Sequence, residues 1–388
     1  MTATTYHGDT LWRTDGTDAG TFAILGGAPH TGELRIANHW SAGDKFYFQT
    51  VDQSSEFYDL LVSDGTIAGT HRLDSDADEG PGFSQLGDLV AFGTGAAFFN
   101  YGSDQNSVFV TDGTSRGTRT LFELNSEENI QSIFAASDGR LFVVSYHNVL
   151  ASGVNVYNLW VVEPSDSVPR PVTSTTGNST LAGIDSIREA AGRIIFRATT
   201  DRGANELWSV NTNLVAMSLL PGSSPGAQWS NLEIVLVSGD GSVLLLGGTN
   251  SFTKDLWHYD AEMRRTSRLT YTNTNNFNVY RGSTTLGGAC FFLFDGTLWT
   301  SDGTAAGTRP LIGSNLPNSS GAKPGFLNVA QVGERLMLLG DDAEHGREWW
   351  TSDGTANGTQ LLLDILPGAE SGTPRFFPGN ISSAHDPD

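Results

Sequence analysis

The sequence predicts an all-β fold, an eight-bladed β-propeller of four-stranded antiparallel blades, and three observations carry that prediction. A short motif recurs at a near-constant interval along the 388 residues. Each interval holds about four short strand signals separated by turn residues. The composition suits many turns and few helices: 46 glycines and only 17% charged residues, against the higher charge of ordinary globular chains. Helices normally coat their outer faces with Lys and Glu, yet Lys45, Lys254 and Lys323 are the only lysines.

The recurring segment is Asp-Gly-Thr-x-x-Gly-Thr, intact from Asp15, Asp64, Asp112, Asp302 and Asp353. Neighbouring copies lie 49, 48 and 51 residues apart, and the long gap of 190 residues has room for three degenerate copies. Taken in chain order, each copy follows a pair of large apolar residues: Leu11-Trp12, Leu60-Leu61, Val108-Phe109, then Leu298-Trp299 and Trp349-Trp350. The same pair marks the degenerate copies at Leu159-Trp160, Leu207-Trp208 and Leu256-Trp257, roughly 130–270, where turn formers replace the motif. Eight repeats fill residues 1–388 as a single domain. A period of 40 to 50 residues with four strands is that of propeller blades, which bury their faces against their neighbours.

The last repeat shows the expected elements: Leu327 to Val332, a Gly333 turn, Arg335 to Leu339, a polar loop, Glu348 to Thr351, the Asp-Gly-Thr turn, and Gln360 to Ile365. Residues 1–25 supply only three strands, and Arg375 to Ser383 is the expected fourth, closing the ring in a shared blade. Within the motif, Asp is expected to accept backbone N–H groups of the turn, Gly to supply positive φ, and Thr to close the hairpin. The apolar pairs are expected in the core.

Glu348-Trp349-Trp350-Thr351-Ser352-Asp353-Gly354-Thr355-Ala356-Asn357-Gly358-Thr359 and the segment from Leu298 to Thr308 resemble the bacterial ELWxxDGTxxGT repeat family. The tail Leu363-Asp364-Ile365-Leu366-Pro367-Gly368 resembles that family's usual continuation. The resemblance implies a propeller-like fold and an extracellular or surface-attached setting. The N-terminus itself has no signal-peptide pattern, so cytoplasm stays the other expectation.

A formal charge of −21 repels phosphate backbones and anionic lipid, so nucleic acid and membrane insertion are not expected. Cys290 stands alone and reads as a buried packing thiol. Function is therefore sought where the repeat is broken. Loops entering the innermost strands, and loops between second and third strands, frame one mouth of the channel. They bring Tyr101, Tyr146, His147, Tyr157, Trp229, Phe277 and Phe377 to a rim, with Trp40 and Tyr280 on the adjoining inner strands. Aromatic rings among Asn, Ser and Thr suit stacking on a glycan or another small-molecule ligand.

Inner strands also carry His39, Asp185, Arg188, Glu233 and Arg281. If these converge they offer an acid–base pair and an anion clamp, the minimum for a hydrolase, lyase or cyclase. Two function classes follow: a ligand-binding propeller with an aromatic channel mouth or, alternatively, an enzyme of specialised metabolism or polysaccharide turnover. Alternate carboxylates at Asp74, Asp76 and Asp78 have the spacing of a Ca²⁺ loop, although Gln85 breaks the EF-hand pattern. The cofactor expectation is none, or Ca²⁺ there, with Asp341-Asp342-x-Glu344-His345 a weaker second candidate.

Overall fold

A computed structural model describes residues 2–5, 8–13, 22–25, 34–52, 58–73, 86–101, 106–149, 154–164, 166–174, 181–200, 205–210, 215–218, 232–248, 255–270, 280–294, 296–312, 325–342, 344–363 and 368. Among them every regular element is a β-strand. Packing divides the chain into two compact parts, residues 1–174 with 180–184, and residues 175–179 with 185–388.

Within each part the repeats form mainly antiparallel sheets whose strands largely follow one another in space as in sequence, with a parallel Gly8–Leu34 pairing joining the first two repeats and a Tyr157–Leu181 pairing joining the fourth and fifth. The third repeat runs Leu86–Phe92, Gly95–Asn100, Ser107–Thr111 and Arg119–Glu123. The sixth, seventh and eighth repeat this order from Glu233, Tyr280 and Gly325. At the N-terminus Thr2–Thr5, Gly8–Arg13 and Phe22–Leu25 make three antiparallel strands. The expected closing strand at Arg375 to Ser383 lies outside the described residues.

Sheets buried on both faces explain why the apolar residues come in pairs. Adjacent strand residues point to opposite faces, so Leu60 enters the layer shared by the second and third repeats while Leu61 enters the layer shared with the first. Val108 and Phe109 divide in the same way, as do Leu256 and Trp257 and Leu298 and Trp299. The first member always faces the following repeat and the second the preceding one. Trp208, 1% exposed, stacks on Phe196 with centroids 6.5 Å apart.

The motif is a closed hydrogen-bond circuit, the same at Asp64, Asp112, Asp302 and Asp353. In the seventh repeat Asp302 Oδ1 accepts the Thr304 N–H at 2.9 Å and the Thr304 hydroxyl at 2.7 Å. The Gly307 N–H donates to Thr304 Oγ1, and Thr308 Oγ1 donates to the Thr304 carbonyl. Ser301, just before the Asp, shares a 2.7 Å bond with Thr308 and accepts the Gly303 N–H. Gly303 takes φ +83°, as a left-handed position requires. Gly307 is needed for a different reason: a Cβ there would stand 2.0 Å from the Asp302 carboxylate.

The innermost strands depart from ideal pairing. A bulge interrupts the first-to-second strand ladder at Ile36/Asn38, Leu86/Leu89, Ile130/Ser132, Ile234/Leu236, Tyr280/Ser283 and Phe326/Asn328. The inner strand of the fifth repeat holds Ser186 at φ 56°. Bulges bend a strand and re-aim side chains, so simple alternation does not decide which way each residue of these first strands points.

Candidate functional site

The richest polar constellation lies where the third and fourth repeats meet. The fourth repeat's second and third strands, Leu141–Val149 and Val154–Val162, form a long hairpin. Its register sets Ser145 opposite Asn158 and His147 opposite Val156, so Ser145, His147 and Asn158 share a face with Val143 and Trp160. That face belongs to the layer holding Ala97, Phe99 and Val108 of the third repeat. Tyr101 leaves the same layer, its ring edge-on to Phe99 at 5.2 Å.

Glu128 is the centre of the site. A turn in which Glu127 N–H donates to Asn125 Oδ1 and Glu128 N–H to the Asn125 carbonyl delivers it to the start of the inner strand. Only 6% exposed, its carboxylate accepts Asn158 Nδ2 at 2.9 Å and His147 Nδ1 at 3.1 Å on one oxygen. The other oxygen accepts the Ser145 hydroxyl, which in turn accepts the Trp160 indole N–H at 2.8 Å. A carboxylate can only accept, so neutral His147 carries its proton on Nδ1 and offers the Nε2 lone pair. The His147 side chain is 31% exposed. Ser145 is not a nucleophile here: it is fully buried and its proton is directed to Glu128 rather than to the imidazole.

Two further groups adjoin. Asp88, in the bulge of the third repeat's inner strand, accepts the Ile133 N–H of the fourth at 3.4 Å. Although Asp88 is exposed, its surroundings desolvate the carboxyl enough to lift it above the usual range. Burial likewise raises the Tyr101 phenol, helped by the Asp88 charge and by Tyr146. Tyr146 and Tyr157 pair across the hairpin on its other face, centroids 5.6 Å apart.

The expected acid–base cluster on the inner strands is only partly described. His39 is exposed, its ring 5.8 Å from Phe46, and Trp40 packs on the layer between second and third repeats. Asp185 is engaged by Arg197 through two guanidinium nitrogens, and Arg197 also donates to the Leu232 carbonyl at 2.6 Å. This ties adjacent inner strands and leaves Asp185 serving Arg197 rather than a histidine. Arg188 donates to the neighbouring Ile187 carbonyl, and Glu233 is half-buried. Tyr280 and Arg281 lie on a strand whose side chains there are outside the described residues, as are Trp229, Phe277, Phe377, Asp74, Asp76 and Asp78 altogether.

The eighth repeat has a second imidazole–carboxylate couple. Asp342, its side chain 3% exposed, accepts the Glu344 and His345 N–H groups at 2.9 and 2.7 Å and His345 Nδ1 at 3.0 Å. Its oxygens act as turn acceptors, and among the described residues no three His, Cys, Asp or Glu gather to hold a metal. Sequence reasoning reached His147, Tyr101, Tyr146 and Tyr157 but missed Glu128, Asn158 and Asp88. The signal for Glu128 was the Asn125-x-x-Glu128 turn directly before an apolar strand.

No protein-family model matches the chain, and no curated protein matches it. Among solved structures it is similar to Porphyromonas gingivalis dipeptidyl peptidase 4, at 11% identity and TM-score 0.58 over 94% of this chain and 58% of that one. It is also similar to a structure from a study of two prolyl endopeptidases, at 12% identity and TM-score 0.50, covering 84% of this chain and 49% of that one. The β-propeller domain of the Trilobed protease from Pyrococcus furiosus aligns at 12% identity and TM-score 0.41, covering 85% and 95%. The chain thus spans about half the length of the two peptidase chains. At such identities the likeness speaks for the fold, which is all-β and propeller-like.

Proposed function

We propose that the chain is an eight-bladed, ring-closed propeller acting as an enzyme, which binds a small polar substrate at the rim between its third and fourth repeats. His147 does the acid–base chemistry. The observation that carries this reading is the buried Glu128 carboxylate, fully surrounded by donors and fixing one nitrogen of a part-exposed imidazole. Burying a carboxylate is costly unless its lone pairs are filled, and here three side chains fill them. The result is a base whose tautomer and aim are set before substrate arrives, the arrangement that proton transfer requires. Tyr101, nearly half exposed at 48%, supplies a neutral ring for stacking beside it. Hydrolases, lyases and cyclases all draw on that chemistry, and water activated at Nε2 makes hydrolysis the simplest of them.

The test is a panel of aminoacyl and dipeptidyl p-nitroanilides and p-nitrophenyl glycosides with the purified chain. Turnover is expected for at least one class, falling about 10²-fold or more in His147→Gln. Glu128→Gln should lose activity and change the pH profile while the chain stays folded. Turnover by His147→Gln at the wild-type rate, or none across the panel, overturns the proposal.

A second reading is favoured by the likeness to dipeptidyl peptidase 4 over nearly the whole chain. In it the propeller selects peptides for a separate hydrolytic centre. The chain alone then binds peptide without turning it over, and Tyr101→Ala weakens that binding. Glycan binding without turnover would instead favour a carbohydrate-recognising propeller.

A further inference from the structure

A cavity of about 230 Å³ lies between the fifth and sixth repeats. It is at the end of the sheets opposite the second-to-third strand loops, lined by the turns Ala191-Gly192, Asp240-Gly241 and Ala261-Glu262. Its existence follows from the lost motif. Where the motif is intact, the turn glycine comes down on the preceding repeat. A Cβ on Gly113 would stand 2.9 Å from the Lys45 side chain, and one on Gly303 would stand 3.0 Å from His258. Arg193 begins the second strand of its repeat as Lys45 does. The sixth repeat, however, turns tightly, with Asp260 paired directly to Arg265, and its turn residues 261–264 include no glycine to pack on Arg193.

The lining carries both charges: Arg193, with which no carboxylate among the described residues forms an ion pair, and the exposed Asp240 and Glu262, together with Ala191, Ile195 and Ala261. Asp240 is held in place by the Ser242 N–H at 2.9 Å and the Ser242 hydroxyl at 3.1 Å, and Ser242 Oγ also accepts the Ala261 N–H. The phenol of Tyr259 completes the lining. Burial keeps it protonated beyond the ordinary tyrosine range, although Arg264 and Arg193 pull the other way, so it is a hydrogen-bond donor at neutral pH.

A bare cation meets the guanidinium, and a phosphate meets two carboxylates. A ligand carrying both charges can answer both. We infer that this cavity binds a small zwitterion, a free α-amino acid or unblocked dipeptide, with its carboxylate on Arg193 and Tyr259 and its ammonium on Asp240 and Glu262. A guanidinium fork facing a carboxylate is a directional, charge-assisted pairing, and the small alanines of the lining suit short side chains. The inference is independent of the rim site.

The experiment is titration of L-alanine and L-alanyl-L-alanine into the full chain, followed by calorimetry or NMR, beside N-acetyl-L-alanine and L-alaninamide. Binding of at least one zwitterion at millimolar affinity or tighter is expected, weakened tenfold or more by blocking either end. Arg193→Gln should weaken it at least tenfold, Glu262→Gln severalfold. Ala261→Leu should fill the cavity and abolish binding, and His147→Gln should leave it unchanged. Equal binding of the blocked compounds, no binding by either zwitterion, or a folded Arg193→Gln chain that binds as wild type overturns the assignment.

Discussion

The sixth and seventh repeats are neighbours built on the same plan, yet their outer hairpins end differently. In the seventh, a bulge between Leu298 and Trp299 precedes an eight-residue turn knitted by Ser301, Asp302, Thr304 and Thr308. In the sixth the ladder from Trp257 to Asp260 runs without a shift into a tight turn, where Asp260 accepts the Met263 N–H and Arg264 takes φ 51°. The long turn reaches over and packs on its neighbour; the tight one stops short and leaves a cavity. What the motif supplies is therefore closure between repeats as well as a hairpin. The repeats that lost it kept the apolar pair, since Leu256 and Trp257 still divide between two layers.

If that division of labour is right, the repeats without the motif depend most on their aromatic pair. Trp208→Ala in the fifth repeat should produce the largest loss, about 3–5 kcal/mol in denaturant unfolding, because a fully buried indole leaves a void the sheets cannot close. A loss under 1 kcal/mol would mean that the layer tolerates collapse there. The steric half of the motif comes next. Gly307→Ala sets a methyl against the Asp302 carboxylate and should cost about 2–3 kcal/mol. Enlarging the side chain of the sixth-repeat turn by Ala261→Val, at the edge of a cavity, should cost less.

The architecture was legible to the extent that it repeats. Five copies of one motif fixed the period, and the Leu-Trp pairs recovered the three copies that mutation had blurred, because both faces of a stacked sheet must stay apolar whatever its turn becomes. The Ser or Thr before each Asp escaped notice, since its role appears only when the hydroxyl of the closing Thr is seen 2.7–2.8 Å away. The candidate site was half legible. His147 and the tyrosines stood out as rare residues in long loops, whereas Glu128 looked like one more acidic residue in an acidic chain. Its meaning depends on strand register, which sets Ser145 against Asn158 on the face it enters. The partner of Asp185 was hidden for the same kind of reason: Arg197, twelve residues away in sequence, lies across the first hairpin from it.

The smallest effect concerns pH, and its sign differs between the turns and the inner strand. In Asp64, Asp112, Asp302 and Asp353 the following Thr hydroxyl and N–H stabilise the carboxylate and hold its pKa below the usual range. A group depressed in the folded state contributes stability above its unfolded pKa, and loses it as pH falls through the folded value. Asp88 is raised by desolvation, so its contribution is present below the unfolded carboxylate pKa and is lost as pH rises through the folded one. Acid melts should therefore fall steadily below the carboxylate range, the four turns acting together. Asp302→Asn keeps an oxygen acceptor but removes the charge, and should flatten part of that fall. Asp88→Asn should instead raise the melting temperature at neutral pH relative to acid, since it removes a carboxylate that the fold prefers protonated. Identical acid slopes in wild type and Asp302→Asn would show that the exposed turn carboxylates are screened into silence, leaving the motif's contribution to its hydroxyls and glycines alone.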